Sequence, residues 1–321
     1  MATDQNKIKI GISSCLLGET VRFNGSHKRD AFIVDELSRH FEFQPFCPEV
    51  EAGLGIPRSP IRLIHTDRGD RAVDHDNYQL DHTDTLQQLA DKQCPQLSSL
   101  SGYIFMQKSP SCGVFRVKCY NSDNGIPDSQ GQGVFASRVR QRLPWLPVEE
   151  AGRLHDSQLS ENFLIRVFTL ADWQKRVEQQ PTVAGLMAFQ ARNKYLLMAH
   201  NPQLTRQMGA ALAALKKHDI SDFLPRYRQL LMQALARPAS RGQKVNALEH
   251  VKGYLKKYLT VAEKKSLQQI IQDYQAERIP FIVPLTMLRH LLSVHLADDA
   301  YLQQQRFLEP IPGELGYGNR D

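Results

Sequence analysis

The sequence predicts two domains of different class: an α/β domain with an open, largely parallel sheet over residues 1–170, and an all-α domain over residues 171–321. The length of 321 residues suits two domains. Short apolar runs alternate with helical patterns in the first part, whereas apolar positions recur almost only at helical spacing in the second. The charge also differs, since residues 181–321 hold 19 Lys and Arg against 11 Asp and Glu, and residues 1–180 hold 21 against 23.

The elements of the first domain follow from short apolar strands and amphipathic helices. Strands are predicted at 8–13, 41–46, 102–107 and 114–120, and helices at 28–40, 83–92 and 134–143. Turn residues fill 122–133, which predicts a loop. Pro144 and Pro147 rule out a continuous helix at the start of 145–170, which is predicted as an irregular connection between the domains. This order of elements is typical of a Rossmann or flavodoxin-like sheet.

The second domain is predicted as a helical bundle. Its helical segments are predicted at 183–199, 204–216, 223–235, 245–259, 263–274, 284–296 and 299–307. Thr260 and Glu263 have the spacing of a capping box, which indicates the start of a helix. We find no repeat of fixed period, which favours a bundle over a solenoid.

Composition and apolar patterning predict a soluble cytoplasmic protein with no membrane partner. Hydrophobic residues make up 41% of the chain and charged residues 23%, which excludes collagen-like and mainly disordered chains. The N-terminus shows no apolar export signal, and prolines and charged residues interrupt the most apolar window, 279–297. Five cysteines in such a chain indicate metal binding or catalysis rather than a disulfide framework.

Three cysteines follow predicted strands. Cys15 follows the first strand, Cys47 the second and Cys112 the third, and the carboxyl ends of parallel strands meet at one edge of a sheet. Three thiolates form an incomplete ligand set for an iron–sulfur cluster or a zinc ion, with one position left for substrate. The alternative is that they are small buried residues, since no CxxC pair is present. We expect Cys94 and Cys119 to be structural.

Each of these three thiols lies in a turn shaped by glycine or proline, in the segments SCLLGETVRFNG (14–25), CPEVEAGLGIPR (47–58) and KSPSCG (108–113). Together the segments resemble the thiouracil desulfurase family over about residues 7–145. Segments such as KYLLMAH (194–200) and NALEH (246–250) resemble the helical domain that is fused to this module in bacterial proteins proposed to remove sulfur from 4-thiouridine in tRNA. Gln190 departs from that pattern, in which a histidine is expected.

The resemblance implies a 4Fe-4S cluster held by Cys15, Cys47 and Cys112, with one iron open to substrate. That iron would polarise a C=S bond as a Lewis acid, so that water replaces sulfur on the ring carbon and hydrosulfide leaves without net electron transfer.

Two polar side chains lie close to the cysteines in sequence. By the resemblance, Glu49 transfers protons and Ser109 orients substrate or water. Alternatively, Glu49 is a turn carboxylate and Ser109 caps a turn, in which case Ser111 is the rival candidate. The weaker candidates for substrate contact are Arg22, Asn24 and Lys108.

Basic residues of the second domain are candidates for contact with RNA phosphates. Lys244, Lys252 and Lys256 share one helix face at i, i+4 spacing, and Arg192 and Lys194 are further candidates. The alternative is an ordinary solvated face.

Three functions are therefore open. The first is conversion of 4-thiouridine in tRNA to uridine. The second is desulfuration of free thiouracil or thiouridine nucleotides, with the helical domain serving oligomerisation. The third is a non-catalytic iron–sulfur or zinc sensor that binds nucleic acid. The basic second domain favours the first over the second, and Glu49 and Ser109 favour both enzymes over the sensor.

Overall fold

The chain folds into two compact units, Met1–Asp156 and Ser157–Asp321. The computed structural model describes residues 7–121, 126–215 and 220–315. The division falls after Asp156 and not near residue 170 as predicted, because residues 157–173 form a regular helix that packs within the second unit. Asn162 of this helix, for example, donates a hydrogen bond to the Leu235 carbonyl at 3.3 Å.

The first unit contains a parallel sheet, sheet A, which confirms the predicted fold class. Its strands are β1 (Ile8–Ser13), β2 (Phe41–Phe46), β5 (Tyr103–Phe105) and β8 (Val148–Glu150). Their order across the sheet is β2-β1-β5-β8, and all neighbouring pairs are parallel. The chain thus moves from β1 to one side and then to the other, so the crevice beside β1 is the expected place for a ligand. The strand β8 lies in the segment predicted as irregular.

A second, mixed sheet was not predicted. Sheet B contains β3 (Ile61–Thr66), β4 (Gly69–Asp74), β6 (Val117–Tyr120) and β7 (Pro127–Gly131) in the order β4-β3-β6-β7. The predicted strand 114–120 belongs to this sheet. The predicted loop 122–133 is wrong over β7, and residues 122–125 lie outside the described part of the chain. Leu63, Ala72 and Cys119 lie in the core that this sheet buries.

The helices of the first unit are α1 (Pro48–Glu51), α2 (Thr83–Leu97) and α3 (Val134–Arg142). The predicted helix 28–40 is instead a π-helical turn, Phe32–Glu36, followed by a 3-10 turn, Leu37–Arg39. It begins late because the Asp30 carboxylate accepts the Ile33 N–H at 3.2 Å, as a capping side chain does.

The second unit is helical throughout its described residues, as predicted. Its helices are α4 (Ser157–Trp173), α5 (Val183–His200), α6 (Pro202–Ala213), α7 (Ile220–Ala234), α8 (Arg241–Leu255), α9 (Val261–Gln275), α10 (Ile282–His295) and α11 (Ala300–Gln303). The predicted capping box is confirmed, since Thr260 and Glu263 exchange hydrogen bonds at the start of α9. Among the described helices, none is both long and apolar enough to cross a bilayer.

Candidate active site

A cavity of about 500 Å³ opens at the carboxyl edge of sheet A, and Cys15, Cys47 and Cys112 all line it. The three loops that carry these residues are far apart in sequence. They meet because each follows a parallel strand, and parallel strands end at the same edge of their sheet. The tertiary structure therefore brings together the three thiols that the sequence placed at strand ends.

Cys15 lies in a 3-10 turn, Ser14–Leu17, that follows β1 directly. Gly18 ends the turn with a φ of 101°, a left-handed conformation that glycine adopts without steric cost. The Cys15 carbonyl accepts the N–H groups of Gly18 at 3.3 Å and Lys28 at 2.9 Å. Two donors thus hold the Cys15 carbonyl in place.

Cys47 precedes α1 and caps its N-terminus. Its carbonyl accepts the Glu51 N–H at 2.9 Å, and its own N–H donates to Glu51 Oε1 at 3.1 Å. Pro48 occupies the first helical position, where its missing N–H costs nothing. This short helix places Glu49 on the wall of the cavity, two residues after the thiol.

Cys112 lies in a loop that is anchored from two sides. On one side, N–H groups at the start of α3 donate to carbonyls of the loop, Val134 to Pro110 at 2.9 Å and Ala136 to Ser111 at 3.1 Å. The close approach requires Gly133, since a Cβ there would lie 2.6 Å from the Ser111 carbonyl carbon. Lys108, at the start of the loop, has a φ of 59°, a strained value for a residue with a side chain.

The other anchor of this loop is the buried carboxylate of Glu150 at the end of β8. Its Oε1 accepts the N–H groups of Val114 at 2.8 Å and Phe115 at 3.0 Å. No role for Glu150 was predicted from the sequence. Its position as the last residue of a short buried strand is the relevant signal, because a buried carboxylate needs hydrogen-bond donors.

Burial keeps the three thiols protonated when nothing is bound to them. Burial raises the pKa of Cys15 to about 11, and the neighbouring Cys47 contributes to this increase. The pKa of Cys47 is also raised, chiefly by burial. The pKa of Cys112 is raised by burial and then by the nearby Glu49 carboxylate. Since a metal ligates the thiolate, a bound cation would displace these protons.

Glu49 and Arg58 form a buried ion pair beside the thiols. The Arg58 guanidinium donates from Nη2 at 2.6 Å and from Nε at 3.0 Å, both to Glu49 Oε2, and the Arg58 and Glu49 side chains are 6% and 14% exposed. Arg58 Nη1 also donates to the Val21 carbonyl at 3.0 Å. Arg58 stands in one of the three cysteine segments, but no role was predicted for it. The role of Arg58 could have been inferred because a buried Glu49 carboxylate needs a positively charged partner.

The other oxygen of Glu49 is linked by hydrogen bonds to the predicted serine, Ser109. Ser111 Oγ donates to Glu49 Oε1 at 2.6 Å, and Ser109 Oγ lies 2.9 Å from Ser111 Oγ. Ser109 Oγ accepts the N–H groups of Ser111 and Cys112, so its own proton is available to Ser111 Oγ. Glu49 and Ser109 are thus connected through Ser111, which was only the rival candidate.

Of the weaker substrate candidates, Arg22 and Lys108 line the cavity. Asn24 does not line it, because its side-chain oxygen instead accepts hydrogen bonds from Ser26 Oγ at 2.6 Å and the Ser26 N–H at 3.3 Å. Asn24 therefore shapes a local turn in this structure.

The RNA candidates of the helical unit divide into paired and exposed cations. Lys244 lies 3.5 Å from Glu161, Lys252 pairs with Glu249 and donates to Gln268, and Arg192 donates to Asp172. Lys194 and Lys256 are exposed. The predicted stripe is therefore largely neutralised by acidic partners.

A second basic surface, which shares only Lys256 with the predicted stripe, surrounds the turn between α8 and α9. Two tyrosines there are exposed, Tyr254 by 40% and Tyr258 by 53%. Four exposed lysines flank them. We call this set the α8–α9 surface: Tyr254, Lys256, Lys257, Tyr258, Lys264 and Lys265.

Two protein families match different parts of the chain. Residues 10–151 match the 2-thiouracil desulfurase family. Most of the first unit therefore matches a 2-thiouracil desulfurase domain. This confirms the resemblance found in the three cysteine segments, all of which lie within the desulfurase domain. Residues 194–312 match a family described as a protein of unknown function, DUF1722.

Two individual proteins are similar to the chain. The uncharacterized protein YbgA of Escherichia coli (strain K12) is 28% identical over 156 residues, which are 48% of this chain and 91% of that protein. A solved structure of a [4Fe-4S]-dependent thiouracil desulfidase, TudS, is 28% identical and covers 48% of this chain and 98% of its own, with a TM-score of 0.39.

Proposed function

We propose that this protein removes sulfur from thiolated pyrimidines, with 4-thiouridine in tRNA as its substrate, by iron–sulfur chemistry without net electron transfer. The observation that carries the proposal is the meeting of three thiols with the Glu49–Ser111–Ser109 chain in one cavity. The family of residues 10–151 supports a thiouracil-type ring as the reacting group.

The residues present fit a 4Fe-4S cluster with three protein ligands. Cys15, Cys47 and Cys112 face one cavity of about 500 Å³, and the remaining cysteines, Cys94 and Cys119, do not line it. Thiolates are the ligands that iron–sulfur clusters use, and three of them leave one iron without a protein ligand. Such an iron, when bound, supplies a Lewis acid for the sulfur of a thiocarbonyl.

Glu49 is placed to move the protons of the reaction. Replacing sulfur by the oxygen of water requires both protons to leave the water. One reaches the departing sulfur, which leaves as hydrosulfide, and the other is released to the solvent. Because Arg58 donates two hydrogen bonds to Oε2, the other oxygen of Glu49, Oε1, is held toward Ser111. Oε1 can accept the proton of water and return it to the sulfur.

Ser109 and Ser111 extend this path along the wall of the cavity. With Ser111 donating to Glu49, Ser109 donates to Ser111, which leaves an ordered line of hydroxyl groups next to Cys112. Ser109 Oγ already accepts two N–H groups, so a water or a ring N–H joins this line by donating to the remaining lone pair of Ser111 Oγ, which connects it to the carboxylate. The two N–H groups that Ser109 accepts fix its orientation.

Two cations on the cavity wall suit an anionic substrate. Arg22 and Lys108 line the cavity, and the charge of Arg22 acts on Cys15, lowering its pKa against the larger effect of burial. A nucleotide brings a phosphate, and a sulfur that is leaving carbon gains negative charge. Both are favoured by nearby positive groups.

The helical unit supports tRNA over free bases as the substrate. Residues 181–321 carry 19 Lys and Arg against 11 Asp and Glu, an excess of eight basic residues. The α8–α9 surface combines four exposed lysines with two exposed tyrosines. Within the described residues these four lysines form no ion pair, whereas Lys244 and Lys252 each pair with a glutamate. Lysines bind phosphates and tyrosines stack on unpaired bases.

The test is a comparison of three substrates with full-length protein purified without oxygen: 4-thiouracil, 4-thiouridine 5′-monophosphate and tRNA that contains 4-thiouridine. We expect about four iron and four acid-labile sulfide per chain, with hydrosulfide release and the highest kcat/KM on the tRNA. Activity on the small substrates alone would favour the second hypothesis. Zinc without sulfide, and no activity on any of the three, would favour the sensor.

A further inference from the structure

Sheet B carries a cluster of side chains of the types that ligate metals, and these residues do not line the cavity at sheet A. Each of its four strands contributes one residue, and we call these the sheet B cluster: His65 of β3, Asp70 of β4, Cys119 of β6 and Asp128 of β7. The register of the sheet brings them together, since His65 pairs with Asp70 and Cys119 pairs with Asp128.

The donor atoms lie close enough to share one ion. One nitrogen of His65, one carboxylate oxygen of Asp70 and the sulfur of Cys119 lie within 4.8 Å of one another. His65 Nδ1 is 2.7 Å from Asp70 Oδ1, and His65 Nε2 is 3.0 Å from Asp128 Oδ2. Cys119 is completely buried, whereas the His65 and Asp70 side chains are each 34% exposed, so the group opens to solvent on one side.

The hydrogen bonds of His65 show what this arrangement requires. Each ring nitrogen faces a carboxylate, but a neutral imidazole has only one N–H to donate. Both contacts are satisfied together only if the ring is protonated, or if a cation lies between one nitrogen and its carboxylate. In keeping with this, both aspartates raise the pKa of His65, Asp128 more than Asp70.

We propose that the sheet B cluster binds one zinc ion through His65 Nδ1, the Asp70 carboxylate and the Cys119 thiolate. Asp128 accepts the Nε2–H of His65 and so orients the ring, as carboxylates behind zinc-bound histidines do. One nitrogen, one oxygen and one sulfur ligand suit Zn²⁺, whereas Mg²⁺ and Ca²⁺ take oxygen ligands. Two ligand charges neutralise the ion, and a water completes the four ligands from the solvent side.

The bound ion would join the two halves of sheet B. Two ligands lie on the β3–β4 hairpin and the third lies on β6, which is paired with β7. Binding would displace the proton of the Cys119 thiol, whose pKa burial raises to about 12.

The test uses the full-length protein with its iron–sulfur centre assembled, treated with zinc chloride and then desalted. We expect about one zinc per chain in the wild type and none in Cys119→Ala or Asp70→Asn, with iron content unchanged in all three. Cys94→Ala, which removes a cysteine of α2, is the matched control and should retain zinc. Asp128→Asn should retain the site but weaken zinc binding by roughly 10–100-fold. Equal zinc in the wild type, Cys119→Ala and Asp70→Asn would overturn the proposal.

A second measurement separates this site from the cavity thiols. In the full-length variant Cys15→Ser, Cys47→Ser, Cys112→Ser, added Co²⁺ should still produce a thiolate-to-cobalt charge-transfer band. The band should disappear when Cys119→Ala is added, and zinc should abolish it by competition. Absence of the band in the triple variant, with the helical and sheet content retained by circular dichroism, would also overturn the proposal.

Discussion

The two units of this protein use charged side chains in opposite ways. In the α/β unit, Arg58 and Glu49 pair beneath the surface and hold one carboxylate oxygen toward Ser111. In the helical unit, the cations of the α8–α9 surface are exposed to solvent. A buried ion pair keeps its orientation and is little screened, whereas exposed cations are screened by salt and remain mobile. The first arrangement suits proton transfer at defined atoms, and the second suits reversible binding of a polyanion.

The largest effect should follow from removal of a cluster thiol. Cys15→Ala, Cys47→Ala and Cys112→Ala should each abolish cluster assembly and desulfuration, because each removes one of three ligands. Iron and sulfide analysis with the visible spectrum measures this. Cys94→Ala is the matched control and should retain the cluster. A full cluster in any of the three variants would show that the ligand set is different.

The next effect should follow from loss of the proton-transfer group. Glu49→Gln should retain the cluster spectrum and lower turnover by roughly 10²–10⁴-fold, the usual contribution of a general acid or base. Ser109→Ala and Ser111→Ala test whether the two serines take part in proton transfer, since each removes a hydroxyl group from the line that is hydrogen-bonded to Glu49. Unchanged turnover in Glu49→Gln with a full cluster would remove the carboxylate from the mechanism.

The helical unit should become less stable in acid because of one buried histidine. His200 lines a cavity of about 190 Å³, and burial lowers its pKa to about 4 from 6.5, with Lys244 and Arg166 adding to the decrease. Between these pH values the unfolded chain binds a proton that the folded chain does not. Stability is thus lost as the pH falls from 6.5 toward 4, by about 3 kcal/mol.

Chemical denaturation at several pH values measures this loss. His200→Gln keeps a side chain that can donate to the Arg237 carbonyl, which His200 Nδ1 contacts at 2.9 Å. Its stability should depend less on pH over the same range. Parallel curves for both proteins would assign the acid sensitivity to other groups.

The smallest effect should appear at the α8–α9 surface. Lys256→Glu with Lys257→Glu should weaken tRNA binding roughly tenfold and flatten its salt dependence by about one unit of slope for each phosphate that the protein no longer neutralises. Turnover of 4-thiouracil should not change. Lys92→Glu with Lys118→Glu, on the α/β unit, has the same change in charge and is the matched control. An equal decrease of tRNA affinity in both double variants would show that net charge alone causes the decrease. The α8–α9 surface would then not be a specific tRNA-binding surface.

The local sequence pattern was sufficient to predict a strand or helix where that element is buried or regularly amphipathic. The strands β1 and β2 have the predicted bounds, and the helices α5 to α10 overlap the segments that apolar periodicity predicted, whereas α4 was missed. The convergence of the three cysteines followed from the rule that parallel strands end at one edge. These features depend on neighbouring residues and on a general property of sheets, so a single sequence contains the information for them.

Only the tertiary structure decided which distant residues meet. Sheet B was missed because β4 (GDRAVD) and β7 (PDSQG) contain turn-forming and charged residues, and pairing with other strands makes them extended. Likewise, Lys244 and Lys252 are equivalent to Lys256 by spacing, but acidic partners neutralise the first two. The pairing of Arg58 with Glu49 was also visible only in the tertiary structure. Ion pairs and strand pairing join segments that are remote in sequence. The periodicity of one segment therefore does not indicate which other segment it contacts.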